Sequence, residues 1–347
     1  MHLLNRGGPW LPPRTTLPSS HVWSNPRNHL PVLVDVSRHK VQGFSFLGSL
    51  HIVHLSLFAV HPFIPYPAFA SMNPHEQHPT NPLEIVRSFW RNRNLIWQLT
   101  RRQVVGRYRG SVMGLAWSFF NPILMLLVYT FVFSVIFKAR WGIGAEESKT
   151  DFAIILFVGM IIHGLFSDCI NSAPGLILSN VNYVKKVVFP LEILPWVAMG
   201  SALFHALVSL GVWAVFYLMV SMGFRWTAVF FPLVIVPLIL GTMGVAWILT
   251  SLGVFVRDVT QVIGILTTVL LFLSPIFYPL STLPQQYQSL LRLNPLTFII
   301  EEARAVLIWG HMPDWLGWAA YLAGSVAIAW IGFWWFQKTR KGFADVV

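Results

Sequence analysis

The sequence is short of charged residues and of cysteine. Asp, Glu, Lys and Arg make up 11% of its 347 residues, whereas soluble domains usually carry about 25%. Hydrophobic residues make up 55% of the chain, and the mean hydropathy is +0.62. This composition excludes an ordinary soluble protein and predicts an integral membrane protein. The one cysteine, Cys169, excludes a disulfide framework.

Several binding motifs are also missing from the sequence. It contains no G-x-x-x-x-G-K-[ST] phosphate loop, so we expect no ATP site of that kind in this chain. After Met72 there is no H-E-x-x-H motif and no Cys/His spacing typical of a zinc site. No metal or other cofactor is therefore expected in this chain, and any energy from ATP would have to come from a partner.

The chain is nevertheless basic, with a formal net charge of +11. A charge of that size can indicate nucleic-acid binding. Here the positive residues flank apolar runs, which is the pattern of membrane anchoring. We therefore expect these residues to contact membrane lipid, and we expect no nucleic-acid partner.

The most informative segment is a basic stretch, residues 82–110, that leads directly into an uncharged run, residues 111–137. The uncharged run has 27 residues, enough to cross a bilayer core of ~30 Å. The basic stretch holds one acidic residue, Glu84, and positive charge beside a span indicates the cytoplasmic side. Its seven arginines are Arg87, Arg91, Arg93, Arg101, Arg102, Arg107 and Arg109.

The same basic stretch has the pattern of an amphipathic helix. A helix with apolar residues on one arc and charged residues on the other is typical of a helix lying in the plane of the membrane interface. A simple cluster of charges that sets topology is the alternative. At 100° per residue, one arc holds Ile85, Val86, Phe89, Trp90, Ile96 and Trp97. The opposite arc holds Glu84, Arg87, Ser88, Arg91, Asn92, Asn94 and Gln98.

Uncharged runs of about 20 residues predict six membrane spans. The fold class expected is therefore an all-α integral membrane protein with an interfacial helix at its N-terminal side. In chain order, the predicted spans are residues 111–137, 152–176, 193–221, 228–256, 259–280 and 315–336.

The charges of the connecting segments predict the orientation. Lys and Arg outnumber the acids in the basic stretch, in loop 178–192 and in the C-terminal tail. They do not outnumber them in the alternate connections, residues 138–151 and 281–314. Both termini are therefore expected in the cytoplasm.

The first 71 residues differ from the rest of the chain, because they are rich in proline and histidine. We expect residues 1–71 to be a disordered extension or translated upstream sequence, with a natural start at Met72 and a cytoplasmic N-terminus over residues 72–110. One alternative is a signal peptide at residues 38–70, which ends in an A-x-A pattern. Another is an extra short span at residues 44–60.

Loop 178–192 predicts a short cytoplasmic helix. Asn180 or Asn182 can cap this helix, and Pro190 ends it. The loop is apolar for a segment exposed to solvent, which favours docking to a partner protein. Ordinary flanking charge from Lys185 and Lys186 is the alternative. The apolar residues are Tyr183, Val184, Val187 and Phe189.

Connection 281–314 is too apolar for an ordinary loop. Asn294 and Pro295 predict the N-cap and first-turn proline of a helix. One face of this helix is apolar, whereas Thr297, Glu301 and Arg304 share the opposite face, and the last two can form an ion pair. This pattern predicts a helix that dips into the outer leaflet or into the mouth of the protein. The prolines at the end of the fifth predicted span predict a bend there.

Asp168 is an acidic residue inside the second predicted span. Burial of such a residue costs ~2.5–3.5 kcal/mol on insertion scales, so it indicates function by default. Its place near the cytoplasmic third also allows an interhelical hydrogen bond or a contact with the cytoplasmic loop. Both readings, a proton or substrate role and a structural bond, remain open. His205 in the third span is expected to make a structural hydrogen bond.

Aromatic residues make up 15% of the chain. In spans one and five they are candidates to stack on sugar rings inside a pore, whereas packing against lipid is the alternative. The candidates are Tyr129, Phe131, Phe133, Phe272, Phe277 and Tyr278.

Residues 95–137, 180–195, 274–279 and 294–308 carry, in this order, a family resemblance. They resemble the membrane subunit of type 2 ABC exporters, in particular the bacterial polysaccharide and polyol-phosphate export permeases. The resemblance implies that residues 111–347 form the transmembrane domain in the bacterial inner membrane. It also implies two copies of the chain, two ATP-binding subunits that hold ATP and magnesium, and lipid-linked polysaccharide (O-antigen, capsule or teichoic acid) as substrate.

The resemblance further implies roles for particular residues. Spans one and five would line the channel, and residues 281–310 would form outer re-entrant gate helices, with Asn294, Pro295, Glu301 and Arg304 as gate residues. The segment that matches the coupling helix, which fits a groove on the ATPase, comprises Asn182, Tyr183, Val184, Lys185, Lys186, Val187, Phe189 and Pro190. The arginines placed to contact an anionic lipid pyrophosphate headgroup are Arg101, Arg102, Arg107 and Arg109.

Three other functions are compatible with parts of this pattern. A type 2 ABC exporter of drugs or small lipids would share the architecture. A membrane-embedded glycosyl- or acyltransferase would need convergent acids or histidines, and the sequence offers only the isolated Asp168 and Asp258. A structural membrane scaffold would not need a segment for docking an ATPase.

Overall fold

The computed structural model describes residues 79–137, 141, 149–185, 189–221, 223 and 225–347. Over these residues the chain is helical and contains no β-strand, which confirms the predicted all-α class. The expectations for residues 1–71, for a start at Met72 and for an extra span at residues 44–60 lie outside the described residues.

The α-helices are connected by short turns, some of them 3₁₀-helical. Two π-helical segments, Thr130–Ile136 and Ala305–Trp309, continue the second and tenth helices. In chain order the helices are α1 (Pro82–Arg107), α2 (Trp117–Tyr129), α3 (Lys149–Ser172), α4 (Val181–Lys185), α5 (Leu194–Ser221), α6 (Phe231–Val234), α7 (Val236–Phe255), α8 (Val259–Leu273), α9 (Gln285–Arg292), α10 (Pro295–Arg304), α11 (Trp315–Thr339) and α12 (Phe343–Val346).

Within the described residues, five helical segments are long and apolar enough to cross a membrane. Each of them overlaps one of the six predicted spans, so the chain has the character of a multi-pass membrane protein. The segments are Gly114–Phe133, Thr150–Gly175, Leu191–Val220, Trp226–Phe255 and Trp315–Val346.

The remaining predicted span, the fifth in chain order at residues 259–280, corresponds to the shorter helix α8. This helix has 15 residues and is therefore about 22 Å long, less than the ~30 Å of a bilayer core. It ends at Leu273 because Ser274 has extended backbone angles, φ −89° and ψ 150°. The predicted helix end at residue 280 is therefore wrong, since the chain leaves the helix before the prolines instead of bending at them.

The interior of the described region is built around α3. Its spanning segment is the most buried of the five, and α3 contacts α5, α7, α8 and α10. The most extensive helix pair is α7 with α11. Its backbones approach so closely that a Cβ atom on Gly332 would collide with the carbonyl oxygen of Gly244. Small residues at such crossings let membrane helices pack without a hydrophobic driving force.

Helix α1, predicted to lie in the membrane interface, packs one side against α5. Ser88, Ile96 and Thr100 on this side are buried, whereas Trp90 and Trp97 are 60% and 69% exposed. The predicted apolar arc is therefore divided between protein contact and an exposed aromatic surface. The placement of Ser88 on the solvated arc was wrong, since its hydroxyl reaches a buried carboxylate on a distant segment.

Candidate functional site

A cleft of about 470 Å³ lies where the end of α1 meets α2, α3 and α5. A volume of this size is typical of sites for small ligands, which range from about 300 to 1,000 Å³. Its polar lining includes Arg107, Tyr108, Asn121, Asp168 and His205. The cleft therefore gathers polar side chains that lie on four separate helical segments.

Arg107 and Asp168 face each other across this cleft. The shortest distance between a guanidinium nitrogen and a carboxylate oxygen is 3.7 Å, and the two side chains are 55% and 40% exposed. Such an exposed pair contributes at most about 1 kcal/mol to stability. The structure thus gives Asp168 an ion-pair partner on α1, which is a structural contact of a kind that the sequence left open.

His205 lies beside this pair. Its Nε2 atom is buried and has no partner among the described residues, so they do not supply the predicted hydrogen bond at this atom. Its ring is 6.0 Å from the ring of Tyr108, in an edge-to-face arrangement. Burial raises the pKa of the Tyr108 phenol, the charge of Arg107 lowers it and the charge of Asp168 raises it. The phenol therefore stays protonated and able to donate a hydrogen bond.

The four arginines predicted to contact a headgroup divide into two groups. Arg107 lines the cleft, whereas Arg101, Arg102 and Arg109 are exposed near the end of α1 and do not line it. The helix period separates residues 101 and 102 from 107 by more than a full turn. The structure therefore brings only one of the four to the cleft.

The segment predicted to dock a partner is partly packed against its own chain. The rings of Tyr183 and Phe189 stack with centroids 4.3 Å apart, and Val184 also contacts the core. Lys185 donates a hydrogen bond of 2.5 Å to the carbonyl oxygen of the C-terminal Val347. Part of the apolar character that suggested docking is therefore used within the chain. Asn182 and Lys185 are exposed, while Lys186 and Val187 lie outside the described residues.

Glu192, which follows the segment from Asn182 to Pro190, forms hydrogen bonds to residues near both ends of the described chain. Its carboxylate accepts hydrogen bonds from Ser88 of α1 at 3.1 Å and from Arg340, after α11, at 2.7 Å. Arg340 also donates to the carbonyl oxygen of Phe189 at 2.9 Å, and the Trp247 indole donates to the Glu192 carbonyl oxygen at 3.0 Å. Hydrogen bonds therefore connect this segment directly to α1, to α7 and to the end of α11.

Four of the six candidate channel aromatics form one cluster at the far end of α2. Phe133 stacks on Phe277 with centroids 5.5 Å apart, and Phe277 in turn stacks on Phe272 at 5.7 Å. Tyr129 also contacts Phe133. Phe131 is exposed outside this cluster, and the Tyr278 hydroxyl donates to the Phe272 carbonyl oxygen. The cluster joins the π-helical end of α2 to the segment that follows α8.

The predicted helix after residue 294 exists as α10, and Asn294 caps it as expected by accepting from the Leu296 amide at 3.0 Å. The predicted pair of Glu301 with Arg304 is also present, at 3.3 Å. On the face opposite the apolar one, Arg304 is 1% exposed and Thr297 is buried. Both faces of α10 therefore pack against the protein.

Arg304 is buried together with hydrogen-bond partners, because its guanidinium donates to three backbone carbonyls. It donates to the oxygens of Ile155 at 3.1 Å, Pro275 at 2.6 Å and Ile276 at 3.2 Å. Its Cζ atom also lies 4.5 Å from the centre of the Trp141 ring. Arg304 therefore holds α10, the start of α3 and the non-helical segment after α8 together.

Comparison with known proteins places these features in one family. The family model described as ABC-2 type transporter matches residues 94–308, which is more than half of the chain. The chain belongs to the ABC-2 type transporter family.

Several named relatives of this ABC-2 chain are transport proteins. It is 28% identical over 267 residues to the O-antigen export system permease protein RfbA of Myxococcus xanthus, covering 76% of this chain and 100% of that protein. It is 23% identical to the protein of the same name from Klebsiella pneumoniae, covering 73% and 95%. It is 26% identical to the polysialic acid transport protein KpsM of Escherichia coli, covering 61% and 81%.

The matched region of the ABC-2 chain contains the cleft, the Glu192 segment, the aromatic cluster and α10. The sequence identified most of these segments but not the pairs Arg107–Asp168 and Glu192–Arg340. Their partners are separated by 61 and 148 positions, and no local period relates residues so far apart. One signal was present in the sequence, the acidic Asp168 inside an apolar run. This residue indicates that a partner is needed but does not identify the partner.

Proposed function

We propose that this chain is the membrane subunit of an exporter that moves lipid-linked polysaccharide across the bacterial inner membrane. The observation that carries the proposal is the alignment over the full length of the O-antigen export permease of Myxococcus xanthus. The relatives from Klebsiella and Escherichia are named for O-antigen export and for polysialic acid transport. This agreement favours a glycan over a drug or a small lipid as substrate.

The energy for export comes, in this proposal, from a separate subunit. Permeases of the ABC-2 family generally pair with an ATP-binding subunit, and this sequence holds no phosphate loop of its own. Two copies of the chain would assemble with two ATP-binding subunits, which hold ATP and magnesium. The chain itself would be a transport subunit without catalytic residues.

The segment from Asn182 to Pro190 is proposed as the contact with the ATP-binding subunit. Exposed Asn182 and Lys185 would meet the partner. The buried hydrogen bonds of Glu192 to Ser88 and Arg340 would then transmit its movement to α1 and α11. These bonds support a role of the segment in coupling, because they join it to elements that lie before and after the spans.

The count of six crossings is supported by a parity argument. Lys185 contacts Val347, and Glu192 contacts Arg340, so these regions lie at the same end of the helices. Three long spans, Leu191–Val220, Trp226–Phe255 and Trp315–Val346, lie between them. A return to the same side needs an even number of crossings. Residues 256–314, which contain α8, would therefore supply a fourth crossing, and with the two earlier spans the total is six.

The distribution of Lys and Arg between the two ends of the helices indicates which end is cytoplasmic in this proposal. The end that carries Arg340, Lys185 and the arginines of α1 is the more basic one, so both termini would lie in the cytoplasm. At the other end, Thr227 donates to the Val306 carbonyl oxygen at 2.6 Å, which places the start of the α6–α7 span beside the end of α10. That end would face outward, with α9 and α10 as gate elements held by Arg304.

Arg101, Arg102 and Arg109 are proposed, with Arg107, to contact the anionic headgroup of the lipid-linked substrate at the cytoplasmic mouth. The first three offer exposed guanidinium groups suited to phosphate. Alanine at 101 and 102 together is expected to reduce export severalfold while the complex with the ATP-binding subunit still assembles. Unchanged export by this variant would contradict the headgroup role.

Deletion of the gene in its native host tests the proposed function as a whole. We expect loss of one surface polysaccharide and accumulation of its lipid-linked form inside the cell, which also identifies the glycan. A normal surface polymer would contradict polysaccharide export and favour a small-molecule exporter. Loss without accumulation would instead indicate an enzyme of synthesis. Complementation with the intact gene is the control.

A further inference from the structure

The cleft between α1, α2, α3 and α5 holds unused hydrogen-bonding capacity beside a membrane span. The carboxylate of Asp168 is 3.7 Å from Arg107, which is longer than a hydrogen bond. The Nε2 atom of His205 is buried without a partner among the described residues, and the Asn121 amide makes no hydrogen bond to them. Ionisable groups inside membrane spans are candidates for function by default.

The charges of the cleft disfavour an anionic ligand. Arg107 and Asp168 carry opposite charges and lie on facing walls, so together they supply no excess of positive charge. A phosphate next to Asp168 would meet a like charge, which is strongly unfavourable away from bulk water. Phosphate binding is better served by the exposed arginines outside the cleft.

The same side chains suit a ligand that is neutral and rich in hydroxyl groups. A hydroxyl can donate to the carboxylate of Asp168 and accept from the guanidinium of Arg107, and the amide of Asn121 can do both. Trp117 and Tyr108 also line the cleft. Their ring faces carry partial negative charge and so attract the C–H face of a sugar ring.

We infer that this cleft binds a glycosyl residue of the transported polysaccharide, as a site separate from the exposed arginines Arg101, Arg102 and Arg109, with Arg107 at the border between the two. The inference rests on the proposed function, because it takes the substrate to be a glycan. It adds the position of a sugar site and names Asp168 and Asn121 as the groups that recognise the sugar. In this arrangement the cleft contacts the sugar, and the exposed arginines contact the phosphate.

A binding experiment on the intact exporter tests this inference. The chain and its ATP-binding subunit are reconstituted in lipid nanodiscs. Two probes are used, the fluorescently labelled glycan released from the lipid-linked material of the deletion strain and a polyprenyl pyrophosphate without sugar. Asn121→Ala is expected to weaken glycan binding about three- to tenfold, because it removes a hydrogen-bonding group. Asp168→Asn is expected to weaken it about tenfold, because a charged acceptor is replaced by a weaker neutral one. Binding of the polyprenyl pyrophosphate is expected to weaken in neither variant.

Two controls separate a lost contact from a lost fold. Ser325→Ala removes a hydroxyl from α11, outside the cleft, and is expected to bind both probes as the unmodified protein does. A photo-crosslinking amino acid at position 121 in the otherwise unmodified chain is expected to capture the glycan. This second measurement does not depend on the behaviour of the Asp168 variant.

Different failures point to different errors. If the cleft variants bind the glycan normally and position 121 captures nothing, the cleft is not a sugar site, even if deletion shows that the chain exports polysaccharide. If the variants lose pyrophosphate binding and keep glycan binding, the cleft holds the headgroup and the inference is wrong. If deletion leaves every surface polysaccharide intact, the proposed function itself fails.

Discussion

At the scale of single residues, the buried charges of this protein hold segments together rather than face solvent. Arg304 is the clearest case, since one guanidinium donates to three backbone carbonyls. Arginine suits this position because its planar fork presents five donors in fixed directions. The three acceptors belong to two different segments, so the residue fixes their relative position.

Arg304→Lys should therefore destabilise the protein although it keeps the charge. An ammonium group cannot reach all three carbonyls of Ile155, Pro275 and Ile276, and hydrogen bonds from charged donors contribute about 1.5–3 kcal/mol each. We expect a loss of about 3 kcal/mol or more and a marked fall in the Tm of the detergent-solubilised protein. The matched control is Arg292→Lys at an exposed position of α9, which should leave Tm unchanged. Equal Tm values for the two variants would contradict the role of Arg304.

Glu302 should make the stability of the protein depend on pH. Burial raises the pKa of its carboxyl above the ordinary value of 4.5, as do the charges of Asp314 and Glu301, while the bond from the Asp314 amide lowers it. The folded state then holds its proton more tightly than the unfolded state, so stability falls as pH rises through the raised pKa.

Glu302→Gln should therefore raise Tm at pH 7, and the difference should vanish below pH 4.5. The increase should be small, below about 4 °C, since 1 kcal/mol corresponds to roughly 2–4 °C at this size and partial exposure weakens the effect. Glu301→Gln is the control, because it loses the ion pair with Arg304 and should not gain stability. A lower Tm for Glu302→Gln at pH 7 would show that its charged form is favoured in the folded state.

At the scale of helices, close backbone contact rather than side-chain volume sets the packing of α7 on α11. Gly244 and Gly332 face each other at the crossing, and a Cβ on either would collide with the backbone of the other helix. Another glycine on α11, Gly324, has open space where its Cβ would lie. The same helix therefore offers one glycine that the packing requires and one that it does not.

Gly332→Ala is expected to push α11 away from α7, lowering the yield of folded protein and reducing stability by about 1–3 kcal/mol, which is typical of overpacking. Gly324→Ala should be neutral or stabilise slightly, because alanine is the better helix former by roughly 1 kcal/mol. Thermal unfolding of the two purified variants compares them directly. Similar stability of both would show that α7 and α11 can separate without cost.

At the scale of the whole molecule, the bonds between α1, the Glu192 segment and the C-terminus fix which regions share one end of the helices. Ser88, Glu192 and Arg340 meet there, and the region of α10 lies at the other end. The proposed count of six crossings rests on this arrangement, whereas α8 alone is too short to cross a bilayer of ordinary thickness.

Cysteine labelling tests this arrangement. In a Cys169→Ser background, Lys185→Cys and Leu293→Cys are expected on opposite sides of the membrane, because the proposed topology places three crossings between them. A membrane-impermeant maleimide applied to spheroplasts should label Leu293→Cys and should label Lys185→Cys only after permeabilisation. Lys341→Cys, placed on the side of residue 185, is the control. Labelling of residues 185 and 293 from the same side would reduce the count to five crossings.

The sequence by itself determined the membrane class, five of the long helices, the capped helix after Asn294 and the family. These follow from local properties, because apolar runs, charge bias and capping residues act within one segment of the chain. It did not determine the end of α8, because prolines at this position are compatible either with a bent helix or with the end of the helix.

Only the tertiary structure decided which polar residues meet. From the sequence, Asp168 was an acidic residue whose burial in a membrane span is costly, but its pairing with Arg107 depends on how α1 and α3 pack. Likewise, Arg304 was a polar residue of one helix, but its burial against the carbonyls of α3 and of the segment after α8 depends on how those segments pack. The energy of a charge depends on its three-dimensional surroundings, since neighbours and burial set its solvation. The cleft exists for the same reason, because four segments far apart in sequence supply its walls.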